Sequence, residues 1–123
     1  MSDIMVKRID EFDSYQGPGG PPGQFVYAGK GLGVTAWGMN VLRLGPHWTG
    51  YPDHDHAKDG QEEVYVVLAG SATLESGGER WDLRPGTMAR VGPERKRRIL
   101  PGAEGVTLLA IGGTPGKAYK PAR

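Results

Sequence analysis

Turn-forming residues interrupt this chain too often for long helices. Of its 123 residues, 21 are Gly and 10 are Pro, and they pair as Gly45-Pro46, Gly77-Gly78, Pro85-Gly86 and Gly92-Pro93. Proline fixes φ and removes a backbone donor, while glycine reaches conformations that other residues avoid. The apolar residues, 37% of the chain, fall in short runs between these breaks. Short strands joined by tight turns are the architecture such punctuation permits. Turn signals recur every eight to twelve residues or so, which predicts roughly nine or ten strands in an all-β barrel or sandwich. No helix is assigned.

In chain order, residues 1–16 mix apolar and charged positions. Val6, Ile9 and Phe12 have a weak helical spacing that an edge strand would also allow. Residues 17–23, Gly-Pro-Gly-Gly-Pro-Pro-Gly, suit only a loop or arm. Strands are expected at 24–28, at 34–44 with a bend at Gly38, and at 53–56. The clearest strand is 63–68, with Glu63, Tyr65 and Val67 on one face and Val64, Val66 and Leu68 on the other. Apolar residues on both faces imply that both are covered. Strands at 71–75 and 79–83 flank Gly77-Gly78, a hairpin signal. Further strands are expected at 87–91, 96–100 and 106–111. The division expected is an N-terminal arm and Gly/Pro loop (1–23), a barrel (24–112) and a flexible C-terminal tail (113–123).

The formal net charge is +1, too small for a bulk field that draws nucleic acid or membranes. Arg95, Lys96, Arg97 and Arg98 form the one basic cluster. They alternate faces on a strand, with no aromatic stacking platform beside them, so a solvated edge with one arginine turned inward is expected and nucleic acid is not. There is no cysteine, hence no disulfide and no thiolate ligand or nucleophile. No stretch approaches the ~18 apolar residues of a membrane span. The first residues lack a signal pattern, and a cytoplasmic protein is expected. Serine-triad, phosphate-loop and glycosidase carboxylate patterns are also missing.

Residues 52–70 hold the chemistry. They contain His54 and His56, two of the three histidines, and the adjacent Glu62 and Glu63. On an extended segment, His54 and His56 point to the same face. Imidazole and carboxylate suit a first-row divalent metal: iron, manganese, nickel, copper or zinc. Only one of the two glutamates can join the histidines, because strand neighbours face opposite ways. His47 is a further candidate ligand, with a hydrogen-bonded structural role as the alternative.

This stretch resembles the first motif of the cupin superfamily: Gly, five residues, His-X-His, three or four residues, Glu, six residues, Gly. His54-Asp55-His56 supplies the histidine pair, and Glu63 followed six residues later by Gly70 supplies the second half. The resemblance selects Glu63 over Glu62. Here six residues separate His56 from Glu63, a longer turn, and the opening glycine falls on Trp48. The second cupin motif is matched in outline by Gly86 and Pro93, but its histidine falls on Arg97 or Arg98. An arginine is not an ordinary metal ligand. It would bind an acidic substrate group through paired hydrogen bonds, or neutralise Glu63 in place of a metal.

The resemblance implies a double-stranded β-helix, the cupin β-barrel or jelly roll, and a homodimer. It implies a divalent metal on His54, His56 and Glu63, with Tyr65 and Arg97 or Arg98 as substrate-binding residues and a small-molecule ligand. An oxygenase, isomerase or lyase acting on a small, acidic substrate is the enzyme reading. The alternative is a non-catalytic sensing or binding module, metal-free with Arg97 or Arg98 at the usual fourth-ligand place.

Overall fold

The computed structural model describes residues 3–15 and 24–120, so the Gly/Pro run at 17–23 lies outside the described residues. Six strands occur in them: β1 (Phe25–Val26), β2 (Gly38–Leu44), β3 (Glu62–Ser76), β4 (Glu79–Leu83), β5 (Met88–Val91) and β6 (Arg98–Gly113). All pairings are antiparallel, and the sheet runs β1-β2-β6-β3-β4, with β5 also paired to β3.

The fold follows from two long, bent strands. The first half of β3 lies between β5 and the end of β6, with Val64 opposite both Arg90 and Ile111. Its second half lies between β4 and the start of β6, with Leu74 opposite both Trp81 and Ile99. Register shifts between Val67 and Ala72 turn the strand from one wall to the other. Gly70 sits at that bend with φ 76°, and a Cβ there would come within 2.1 Å of the Gly105 carbonyl oxygen. No other residue fits so close an approach. The strands expected at 63–68 and 71–75 are therefore one element, as are those at 96–100 and 106–111.

Between the walls sits the main core, including Leu42, Leu44, Tyr65, Val67, Leu74, Ile99 and Leu108. A second cluster lies on the outer face of β2 and β6, where Val26, Ala28 and Val41 pack with Ile9, Phe12, Met39 and Leu109. The Gly77-Gly78 hairpin forms as expected, both glycines having positive φ (58° and 82°).

Three expectations need correction. A one-turn helix, α1 (Ala28–Leu32), follows β1 and ends at Gly33 in the left-handed conformation. Its Gly29 lies so near Met39 that a Cβ would be 3.1 Å from that backbone, so packing, not propensity, sets the turn. Residues 53–56 make only a single bridge, His54 to Arg97. The outer face of β3 and β5 is only part-covered, with Leu68 47% and Met88 68% exposed.

Beyond β6, Tyr119 lies across Gly38, whose missing side chain leaves room for the phenol.

Candidate metal centre

Strand alternation at the start of β3 turns Glu63, Tyr65 and Val67 toward the interior. Glu62 points the other way and pairs with Arg90 Nε at 2.8 Å. The histidines reach the same place on the loop before β3. The His54 N–H donates to the Arg97 carbonyl at 3.0 Å, and the Arg97 N–H returns to His54 at 2.9 Å. The His56 N–H donates to the Pro93 carbonyl at 2.8 Å. Between His56 and Glu63 the longer turn closes on Asp59, whose carboxylate accepts the Gln61 N–H at 3.0 Å.

One ligand atom from each of His54, His56 and Glu63 lies within 4.8 Å of the others. His56 Nε2 is 3.4 Å and His54 Nε2 is 3.7 Å from Glu63 Oε1. Each ring is fixed at its other nitrogen. His54 Nδ1 is 3.0 Å from the Pro52 carbonyl, and His56 Nδ1 is 3.2 Å from both Asp59 oxygens. A carbonyl and a carboxylate only accept, so both Nδ1 atoms carry the proton. Both Nε2 atoms face the carboxylate. Outer partners of this kind are what orient ligating histidines.

Glu63 Oε1 also accepts from Tyr65 Oη at 2.7 Å and Arg97 Nη2 at 2.6 Å. Because Tyr65 donates to Glu63, the 2.9 Å contact between the Tyr51 and Tyr65 hydroxyls has Tyr51 as donor. Burial alone would raise the Glu63 pKa, but hydrogen bonds from His54, Tyr65 and Arg97 bring it down to about 2. Burial, then the Glu63 charge, push Tyr65 up to about 12, and burial raises Tyr51 well above the usual phenol value. The Glu63 carboxylate raises the His54 pKa above its usual value, outweighing burial. At Asp59, burial is outweighed by bonds from Gln61 and His56, which lower its pKa.

Arg97, at 0% exposure, is the arginine turned inward. Its Nη1 also donates to the Arg95 carbonyl at 2.8 Å, and its Nε is buried without a hydrogen-bond partner. Arg98 is not brought into the cluster and pairs with Glu75 at 3.3 Å. Arg95 reaches Ser76 and Glu79, so the basic run scatters over separate partners. His47 stands apart, exposed, at φ 53° in the turn closed by the Trp48 N–H to the Gly45 carbonyl. Asp59 and Tyr51 join the site without having been singled out as site residues. For Asp59 the available signal was an acid three residues after His56.

A scan against protein-family models finds no match, and a search of curated proteins finds none. Solved structures do match. A cupin protein from Bacteroides fragilis superposes with a TM-score of 0.72 at 20% identity, covering 99% of this chain and 93% of its own. The chain has the cupin fold. A sugar phosphate isomerase of the cupin superfamily from Silicibacter pomeroyi gives a TM-score of 0.72 at 19% identity, covering 95% and 77%. The cupin domain of an XRE-family transcriptional regulator from Enterobacter cloacae gives 0.58 at 17%, covering 68% and 86%. What is shared at these identities is the fold. Of the two arginines, Arg97 reaches Glu63 in this barrel and Arg98 does not. No helix among the described residues is long and apolar enough to cross a membrane.

Proposed function

We propose that this barrel holds one divalent metal ion on His54 Nε2, His56 Nε2 and the Glu63 carboxylate, and that the centre serves a small-molecule substrate. One observation carries the reading: two imidazole Nε2 atoms, their rings held at Nδ1, converge on one carboxylate oxygen, a donor set that suits a divalent cation. At 3.4 and 3.7 Å the separations are longer than charge-assisted hydrogen bonds. They approach the edge of about 3.0–3.4 Å between two atoms each ~2.1 Å from a shared ion. Iron, manganese, nickel, copper and zinc all accept this donor set.

A bound ion there would supply Lewis-acid chemistry to a substrate oxygen. The chain's own residues keep Glu63 ionised and in place. Tyr65 and Arg97 hold its Oε1, and Tyr51 holds Tyr65. Tyr65 and Arg97 are thus proposed to act on substrate through Glu63. An isomerase, oxygenase or lyase is the enzyme class we infer, and the solved neighbour from S. pomeroyi, a sugar phosphate isomerase, supports metabolite chemistry on this fold. The proposal further places the protein in the cytoplasm, as a homodimer with residues 24–112 as its barrel unit. The exposed Leu68 and Met88 support a second copy on that outer face.

A second reading has its own observation. The 2.6 Å pair of Arg97 with Glu63 already neutralises the carboxylate, as a metal-free binding or sensing module would need. The likeness to a regulator's cupin domain favours it also.

Thermal unfolding in the presence of divalent ions separates the two. Ion at about 100 Kd stabilises a site by ~2.7 kcal/mol. The metal reading expects that rise in the native chain and its loss in a His54→Ala/His56→Ala variant. Equal curves with and without every ion would leave the second reading standing.

A further inference from the structure

The centre opens on a cavity of about 900 Å³ whose lining includes His54, Glu63, Tyr51 and Tyr65. Of the chain's three Trp, five Tyr and two Phe, all but Phe12 and Trp81 line it. A chain with so few aromatic residues has gathered nearly all of them around one space. Phe25 makes edge contacts with Tyr15 at 6.2 Å and with Trp48 at 6.5 Å, so these rings form a continuous wall. Gly50 lies under the Trp48 indole, where a Cβ would come within 2.3 Å of the ring. Trp37 is 44% exposed and lines the same cavity.

The polar side of the lining is sparse. Among the described residues it offers one lysine, Lys30, and no arginine. Arg97 is spent on Glu63 and on the Arg95 carbonyl. The hydroxyls of Tyr51 and Tyr65 are committed to each other and to Glu63. Besides the tyrosines, Lys30 and the proposed ligands His54 and Glu63, the polar side chains of the described lining are Thr35 and Asn40. A phosphorylated sugar needs several cationic or N–H donors for its dianion and a dense polar lining for its hydroxyls. The described lining supplies one such cation, and its hydroxyls are mostly those of the tyrosines. Aromatic faces and edges pair with flat rings, and a single ammonium matches a single negative charge.

We propose that the cavity takes a planar aromatic molecule carrying one anionic group, an aromatic carboxylate, with the ring among the aromatic side chains and the charge near Lys30. This deepens the metal-centre reading, since the proposed ligands His54 and Glu63 line the same cavity, but most of its lining is other residues.

Calorimetric titration with 2-naphthoate, 2-naphthol and glucose 6-phosphate tests it, on EDTA-treated and on zinc-loaded protein. The expected result is 2-naphthoate binding at least about tenfold tighter than glucose 6-phosphate. Trp37→Ala, at an exposed position that leaves the core intact, is expected to weaken 2-naphthoate about two- to tenfold. Lys30→Met is expected to weaken 2-naphthoate about two- to fivefold and to leave 2-naphthol unchanged. Glucose 6-phosphate binding as tightly as 2-naphthoate, or indifference to Trp37→Ala, overturns the proposal. Protein that takes up no zinc yet binds 2-naphthoate removes the metal reading and supports the aromatic chamber. Protein that takes up zinc and binds no 2-naphthoate overturns the chamber and leaves the metal reading intact.

Discussion

Replacing Arg97 by Met tests the electrostatics of the centre at its most buried charge. The guanidinium has no solvent exposure, and it donates to Glu63 at 2.6 Å, to the Arg95 carbonyl at 2.8 Å and to the Gly92 carbonyl at 3.4 Å. Methionine refills most of the aliphatic stem, so the cavity term is small. The charge term is not small. Glu63 would keep Tyr65 as its donor, the Arg95 carbonyl would lose its guanidinium donor, and the Gly92 carbonyl would keep the Arg95 N–H at 3.3 Å. Removing one partner of a buried pair costs about 3–5 kcal/mol. Near the midpoint of unfolding, that is a fall of roughly 10–20 °C for a domain this size. The assay is urea unfolding of EDTA-treated Arg97→Met against the native chain, read as a midpoint shift at constant slope. Saturating zinc is expected to restore part of the loss, because the ion brings a positive charge back to Glu63. A loss below about 1 kcal/mol would refute the argument, since it would show that Glu63 does not depend on Arg97. An equal loss with and without zinc would refute the link between the two cations.

Other outcomes follow from the same geometry. Asp59→Asn removes the carboxylate that holds His56 Nδ1, and metal affinity in a chelator competition is expected to fall about 10- to 100-fold; unchanged affinity would remove Asp59 from the site. His47→Gly relieves a φ of 53° and is expected to raise stability by about 1 kcal/mol with metal affinity unchanged, whereas lost affinity would make His47 a ligand after all. The Glu63 pKa falls from its usual 4.5 to about 2, so its contribution is full above 4.5 and is lost as pH drops toward 2. Acid titration of the EDTA-treated protein should show ~3 kcal/mol of this loss, absent in Glu63→Gln. His54 has the opposite sign. Its raised pKa stabilises the metal-free chain below pH 6.5 and is lost as pH rises through the folded value, while metal binding tightens over that same rise. Affinity that is flat across this range would contradict the assignment of His54.

Local signals carried the hairpin and the inward face of β3. A two-residue hairpin turn needs positive φ at its centre, and Gly77-Gly78 supplies it at no steric cost. Glu63 and Glu62 separate because side chains alternate, which needs only that the segment be extended. The histidine pair was legible for the same reason, though its backbone makes one bridge instead of a strand. What was not legible depends on distant partners. That β3 and β6 run through their bends is decided where Gly70 meets Gly105, 35 residues away in sequence. Arg97 and Arg98 could not be told apart, because which faces inward is set by the bridge from Arg97 to His54. The turn of α1 has two glycines in its five residues and reads as non-helical until Gly29 is seen against Met39. Asp59 lies in the longer turn between His56 and Glu63, and its contact with the His56 ring is visible only once His56 is placed.

The central claim is that His54, His56 and Glu63 share an ion even though Arg97 already sits on Glu63. Elemental analysis after loading with a divalent metal and exhaustive desalting tests it most directly. The account predicts one ion per chain in the native protein and none in His54→Ala/His56→Ala. A native protein that retains no ion, while still folded, would contradict it and would mean that Arg97 has replaced the metal.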